Sequence, residues 1–388
     1  MTLVRPARAR LVASEWAARV VSPLHDVLTE SERRAVLAEN PDSYLHVTSD
    51  PLALLGTLGD ATAAAAQARA LQRLLDLDAY RCPEPGVFVY RMREGDDEHT
   101  GVVASVGLEG FVDGRVLGHE GVQSARVDSL VRHYDRVAMR SELVALFHRA
   151  EPGVTELTDQ ICQQPAVLEF IDAGGVEQWV WRADPEESAA LTRHLDRHRH
   201  YIADGHHRVA AALRRWDRDG RAEDSSVLCA LYPQDQVFLH AFHRRVLGPV
   251  AVPELLEALG SAFVVRPAAG PDVGPGSIGV YAAGQWRRLT PRERRSMTGV
   301  AGLDVTMLDD AVLRPLLGMQ GGDSRLEFLP ELRNLERTIR ACDEDGGVLF
   351  TLHAPRLDDL IAVAERGEAM SAKTTYVKPK PRTGVFLQ

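Results

Sequence analysis

The densest chemistry in the chain lies in "YIADGHHRVAAAL", residues 201–213, where Asp204, Gly205, His206, His207 and Arg208 stand between an apolar run and an alanine-rich segment. An apolar run that ends in Asp-Gly and passes into helical spacing reads as a strand-to-helix corner. There the backbone N–H groups and the positive end of the helix face one spot, where a phosphate is stabilised. Gly205 permits close backbone approach. His206, His207 and Arg208 add side-chain donors, and the Arg208 guanidinium can grip phosphate oxygens with two hydrogen bonds at once. Asp204 suits a divalent cation or an acceptor hydroxyl, both of which phosphoryl transfer uses. Asp-Gly before a helix is also an ordinary cap, but three successive donors favour an anion site.

Other clusters are less specific. His194 and His198 are four residues apart, with His200, His206 and His207 following. Two histidines at that spacing share a metal only on one continuous helix, and "HLDRHRHY" leaves the helix near His198. No HExxH occurs, so a zinc site is disfavoured. "GHEG" offers His119 and Glu120, the latter a base for an attacking hydroxyl if burial raises its pKa. His25 with Asp26, and His243 with Arg244, are unspecific alone. Lys373, Thr374 and Thr375 in "SAKTTYVKPK" make an anion-binding cluster that an ordinary basic tail would also show. Walker A, kinase and GxSxG motifs are absent.

The elements that must position these groups read as mixed α/β. Thr29 or Ser31 caps a first helix, and residues 60–78 form a second, opened by Asp60. "VFVYRMREGDDEHTGVVASVGLEGF" reads as two strands joined at Gly-Asp-Asp, followed by a helix over about 124–150. Residues 165–182 form a hairpin around "DAGG", and "PEESAALTRHL" a helix. After the signature corner come the strands "SSVLCALYP" and "VFLHAFHRRVL", a Pro/Gly-rich spacer, a strand "IGVYAAGQWRRL", a helix at 306–317 and a closing strand–helix–strand pattern.

Composition narrows the function classes. The 388 residues are 45% hydrophobic, enough for a sizeable core divided into lobes. A net charge of −10 disfavours a nucleic-acid partner, whose backbone demands concentrated Lys and Arg. No apolar stretch reaches the roughly 18–20 residues of a membrane span. Glu15 interrupts any signal core, so a cytoplasmic location is expected. Cys82, Cys162, Cys229 and Cys342 form no CxxC pair and read as reduced core residues.

Many ordered segments carry a resemblance. "SPLHDVLTESERRAVLAENPDSYLHVT", "FVYRM", "GRVLGHEG", "YIADGHHRVAAAL", "HRRV", "LDVTMLDDAVLRPLLG" and "GEAMSAKTTYVKPKPRTGVF" resemble, in that order, the bacterial and archaeal family known as domain of unknown function 1015, with its Asp-Gly-His-His-Arg signature. That family is similar to free serine kinases of the ParB/sulfiredoxin superfamily. The resemblance implies a ParB/sulfiredoxin-like nucleotide-binding core over 111–250, with α+β lobes at 1–110 and 251–388. It implies ATP or ADP and Mg2+ as cofactors and a free hydroxy compound, most simply L-serine, as substrate. Gly205, His206, His207 and Arg208 would hold phosphates, with His243, Arg244, Lys373 and Thr374 as further nucleotide contacts. Asp204 would take magnesium or the substrate hydroxyl, and Glu120 would be the base. Val209 and Ala210 stand where the family has Tyr-Glu, His25 where it has Tyr, and Val122 where it has Thr. The phosphate half is retained and the acceptor half altered. The alternatives are a kinase of another hydroxy amino acid or biosynthetic intermediate, and a non-catalytic nucleotide-binding regulator. A homodimer is left open.

Overall fold

The computed structural model describes residues 2–23, 28–48, 60–293, 299–320, 323–330, 334–370 and 373–388. His25 and Asp26 lie outside the described residues, as does the side chain of Asp60. The chain divides into two compact units, one of Met1–Gly118, Val122–Val237 and Pro379–Gln388, the other of His119–Gly121 and Phe238–Lys378. Both mix helices with sheet. Among the described residues no helix is long and apolar enough to cross a membrane.

The first unit is built on a sheet whose strands lie in the spatial order Val116–Leu117, His200–Asp204, Val144–His148, Ser226–Pro233, Asp97–Gly107, Phe88–Glu94, Glu177–Arg182 and Leu168–Ile171. Val144–His148 is parallel to Ser226–Pro233 and antiparallel to His200–Asp204. Its sequence VALFH is buried throughout because it lies inside the sheet with both faces covered. Val102, Ala104, Leu146, Ile202, Cys229 and Leu231 form the centre of the core. Burying each large aliphatic side chain contributes about 1.5–3 kcal/mol. Val209 of the helix His206–Arg218 joins the same core, which fixes the signature helix to the sheet.

The second unit holds a seven-stranded sheet in which Phe238–Val246 pairs with Leu326–Pro330, Val348–Thr351 and Thr375–Lys378. Leu259, Phe263, Val280, Leu308 and Phe350 are among its buried residues.

Local signals explain most elements. Thr29 caps the helix Glu30–Glu39 and Asp184 caps Pro185–Leu195, each in a capping box with a glutamate three residues on. The expected hairpins form with Glu94 facing Asp97 and Ile171 facing Glu177.

Three expectations are corrected. The helix expected over 124–150 ends at Val137, where Ala138 turns left-handed with φ of 63°, and the chain re-enters the sheet at Val144. Residues 278–291 form two strands rather than one, because Ala283 and Gly284 both take positive φ and close a hairpin. Cys82, expected in the core, is exposed.

Candidate functional site

The corner at Asp204 starts from a strand irregularity. His200, Tyr201 and Ile202 face His148, Phe147 and Leu146 in register, but Ala145 then faces Asp204, so Ala203 is an extra residue. Such a bulge kinks the strand and re-aims the next side chain. Gly205 follows with φ of 110°, a conformation that side-chain-bearing residues avoid, and the 13-residue helix begins at His206 without a side-chain cap. Asp204 is therefore not the helix cap. Its carboxylate is spent elsewhere.

One oxygen, Oδ2, accepts a hydrogen bond from Arg208, whose guanidinium also donates to the Leu143 carbonyl. The other, Oδ1, lies 2.6 Å from Lys380 Nζ. The side chains of Asp204 and Lys380 are 19% and 13% exposed. Burial alone would raise the Asp204 carboxyl, but Lys380 and Arg208, with His206 adding to them, hold it well below the usual carboxylate range. One anion thus faces two cations at the start of a helix.

Lys380 arrives on a C-terminal strap. Arg382 Nε bonds buried Asp172 at 2.7 Å, and Thr383 exchanges two backbone hydrogen bonds with Ser22. Phe386 and Leu387 pair with Leu11 and Arg10, and Gln388 exchanges backbone bonds with Arg140. Sequence reading missed Lys380, placing the tail's chemistry at Lys373 and Thr374. The usable signal was "KPKPR", in which prolines on both sides of Lys380 stiffen the segment that carries it.

The other expected residues are placed as follows. His206 is buried, and a Cβ on Gly118 would come 3.1 Å from its ring, so this glycine lets the loop pack closely on it. His207 Nε2 accepts from the Gln123 backbone N–H at 3.0 Å and thereby holds the entry to the helix Ser124–Val137. A recess beside Arg208 is lined by Tyr134, Arg140, Glu142, Leu143 and Gln388.

Glu120 belongs to the second unit, where it bridges in parallel with Met370. His243 and Arg244 lie in the same unit on Phe238–Val246. His243 Nδ1 accepts from the Leu352 N–H, and burial, with Arg244 beside it, pushes its pKa down to about 4. Arg244 is 2% exposed, donates to the Phe242 and Lys373 carbonyls at 2.9 Å each, and lies 4.4 Å over the Phe328 ring. Lys373 takes a left-handed φ of 61° with Nζ 5.2 Å from the Phe242 ring, and Thr374 is buried.

His194 and His198 both face Glu151, at 3.0 Å each. Among the described residues no group of three His, Cys, Asp or Glu side chains is placed to hold a metal. The donors around Asp204 suit an anion. As it stands, each carboxylate oxygen of Asp204 faces a cation, so a magnesium ion there would have to displace Lys380 or Arg208.

The model of a family described as "Protein of unknown function (DUF1015)" matches residues 4–306. The chain belongs to the DUF1015 family. The match ends short of Lys380, so the strap lies beyond the part of the chain that the DUF1015 match covers. No curated protein matches the chain in sequence. Among solved structures, this DUF1015 chain is similar to a free serine kinase point mutant in complex with AMP, at 12% identity and a TM-score of 0.40, over 71% of this chain and 87% of the other. It is also similar to C-terminally truncated SbnI from Staphylococcus aureus, at 11% identity and a TM-score of 0.41, over 72% and 84%. A conserved hypothetical protein from Pyrococcus furiosus is similar at 12% identity and a TM-score of 0.38, over 73% and 93%.

Proposed function

We propose that this chain is a nucleotide-dependent phosphotransferase acting on the hydroxyl of a free small molecule, with L-serine the simplest acceptor and ATP or ADP the donor. The observation that carries the reading is the Asp204 corner, where Lys380 and Arg208 meet one carboxylate at the N-terminus of the helix His206–Arg218. Two cations meet at this corner, and the helix end adds its partial positive charge. A preorganised positive field of this kind is what a transferring phosphoryl group needs. The likeness of "DGHHR" to the phosphate loop of free serine kinases supports the same reading, and with it a ParB/sulfiredoxin-like core.

In the reaction, the acceptor oxygen forms a new P–O bond as the bond from the terminal phosphorus to the bridging oxygen breaks. The electron pair leaves with the shortened nucleotide. The hydroxyl proton passes to a carboxylate base, the role that the family resemblance gives Glu120. Asp204 would orient the hydroxyl, while Arg208 and the helix N-terminus neutralise the phosphates. Magnesium enters this reading as the counter-ion of the nucleotide's own oxygens.

The test is phosphorus NMR of the purified chain with Mg2+, L-serine and either ATP or ADP, with Asp204→Ala and Glu120→Gln alongside. A phosphomonoester signal that needs both serine and Asp204 supports the reading and names the donor. Nucleotide binding with no phosphorylation of serine or of a panel of hydroxy amino acids would sink it in favour of a nucleotide-responsive regulator.

A further inference from the structure

We propose that the recess beside Arg208 is a binding site for a small carboxylate, with the Arg140 guanidinium as its principal ligand. The inference goes beyond the phosphotransferase reading and does not rest on it.

The fold fixes where Arg140 stands. The helix Ser124–Val137 ends at left-handed Ala138, and two residues later Arg140 exchanges backbone hydrogen bonds with Gln388 at 2.8 and 2.9 Å. Its guanidinium carbon lies 5.6 Å from the centre of the Tyr134 ring, a wall of the recess, and the Tyr134 hydroxyl is in turn bonded to Glu142. Val144, Val227 and Leu228, from two neighbouring parallel strands, give the recess an apolar side.

The cations around Arg140 have acceptors of their own. Arg208 is held by Asp204 and the Leu143 carbonyl, and Arg215 Nε donates to Asp135 at 2.9 Å. Among the described residues the Arg140 guanidinium donates no hydrogen bond and pairs with no carboxylate; its contact is the face of Tyr134. Burial draws its pKa down, and the charged neighbour that weighs on it, Arg215, is a second cation pushing the same way. A guanidinium has five N–H donors and keeps its charge. Holding one in a half-buried place with no anion against it costs stability, which a ligand that brings the anion recovers.

The chemistry of the recess selects among anions. A guanidinium fork meets the two oxygens of a carboxylate with two parallel hydrogen bonds. One carboxylate also matches one guanidinium in charge. Glu142 lines the same recess, and its carboxylate would repel a phosphate dianion about twice as strongly as a singly charged carboxylate.

The experiment measures urea midpoints of the full chain in sodium chloride and in sodium acetate at equal ionic strength, for wild type, Arg140→Met and Arg8→Met, the last removing an exposed arginine of the same unit. Acetate should raise the wild-type midpoint beyond any general salt effect, and that extra rise should persist in Arg8→Met and vanish in Arg140→Met. In chloride, Arg140→Met should be at least as stable as wild type, because methionine keeps a contact with Tyr134 and removes a charge that no anion balances. Phenylglyoxal labelling of arginines, read by mass spectrometry, needs no variant: acetate at ten times its dissociation constant should slow labelling of Arg140 about tenfold. Equal acetate effects in all three proteins, or a lower midpoint for Arg140→Met in chloride, would overturn the proposal. So would inorganic phosphate acting through Arg140 where acetate does not, which would make the recess a phosphate subsite. Acetate bound at Arg140 in a chain that phosphorylates no acceptor would defeat the phosphotransferase reading alone.

Discussion

Lys380 Nζ and Asp204 Oδ1 are 2.6 Å apart although 176 residues separate them in the chain. With Arg208 on Oδ2, each oxygen of the carboxylate is already held by a cation. A hydroxyl that needs Asp204 therefore competes with two cations for the carboxylate's lone pairs, which favours an order of binding. We expect L-serine to bind more tightly after the nucleotide than before it in wild type, and the difference to shrink in Lys380→Met. Titration with L-serine in the presence and absence of ADP checks this. Equal serine affinity in both conditions for wild type would refute the order.

Asp204→Asn keeps the size of the side chain but removes the charge that Lys380 and Arg208 share. Two neighbouring cations then repel one another in a largely buried place, a loss of about 3 kcal/mol in stability. Acceptor-dependent turnover should fall by about 100-fold or more. Because Lys380 and Arg208 outweigh burial and hold the wild-type carboxyl low, Asp204 stays ionised throughout the neutral range. Its stabilising contribution is complete above the unfolded value near 3.8 and is lost only as the pH falls through the lowered folded one. An acid limb in turnover between about pH 5 and 7 that disappears in Asp204→Asn would contradict this assignment.

Gly205→Ala tests the corner with the smallest change. A φ of 110° costs a side-chain-bearing residue about 1–2 kcal/mol, and the new Cβ would stand 3.2 Å from Arg208 Cζ. Arg208 must then shift from Asp204. The expected outcome is a modest drop in thermal midpoint with a larger loss of nucleotide affinity. Affinity that holds while stability falls would show that Arg208 is not a phosphate ligand.

The corner was legible because its chemistry is local: an apolar strand, Asp-Gly and a run of donors are contiguous in the chain. Lys380 was not, since nothing in a one-dimensional reading brings the tail to residue 204. The bulge at Ala203 was equally hidden, because it depends on pairing with Val144–His148. That strand was itself read as helix: no Gly or Pro marks the break, and Ala138 makes the left-handed turn that glycine usually makes. Arg244 and Lys373 show the converse. Their residue types suggested an anion site, but side-chain type does not reveal that a guanidinium will be used up on backbone carbonyls.

For Arg244 the structure leads to a stability phenotype. Its two bonds to the Phe242 and Lys373 carbonyls and its seat over Phe328 are lost together in Arg244→Lys, because one ammonium group cannot span the fork. Burial already brings its pKa down to about 10, so the replacement also keeps a charge in a poorly solvated place. A loss of about 2–3 kcal/mol is expected, read as a lower urea midpoint, with nucleotide affinity of the folded protein unchanged. Reduced affinity at full stability would return Arg244 to the nucleotide contacts expected from the sequence.

Two histidines next to the signature strand make stability depend on pH. His148 and His200 face each other across neighbouring strands, both fully buried, with ring centroids 5.7 Å apart. His148 Nδ1 donates to the Arg149 carbonyl and His200 Nε2 to the Leu195 carbonyl, while His148 Nε2 and His200 Nδ1 are buried without a hydrogen-bond partner. Burial pushes His148 down to about 4 and His200 to about 3, from an ordinary 6.5. The unfolded chain therefore binds these protons first. The stabilising contribution is complete above about pH 6.5 and falls as the solution is acidified toward the folded values, by up to about 1.4 kcal/mol per pH unit for each histidine. Urea midpoints at pH 7.5, 6.5, 5.5 and 5 should decline across that window, where ion-paired carboxylates are still charged. His148→Gln or His200→Gln should remove about a third of the decline, since either leaves the other imidazole and that of His243, also held down at about 4, to titrate. A wild-type midpoint that stays level from pH 7.5 to 5 would mean that protons reach these rings without opening the strand pair, and that the Asp204 strand does not depend on their neutrality.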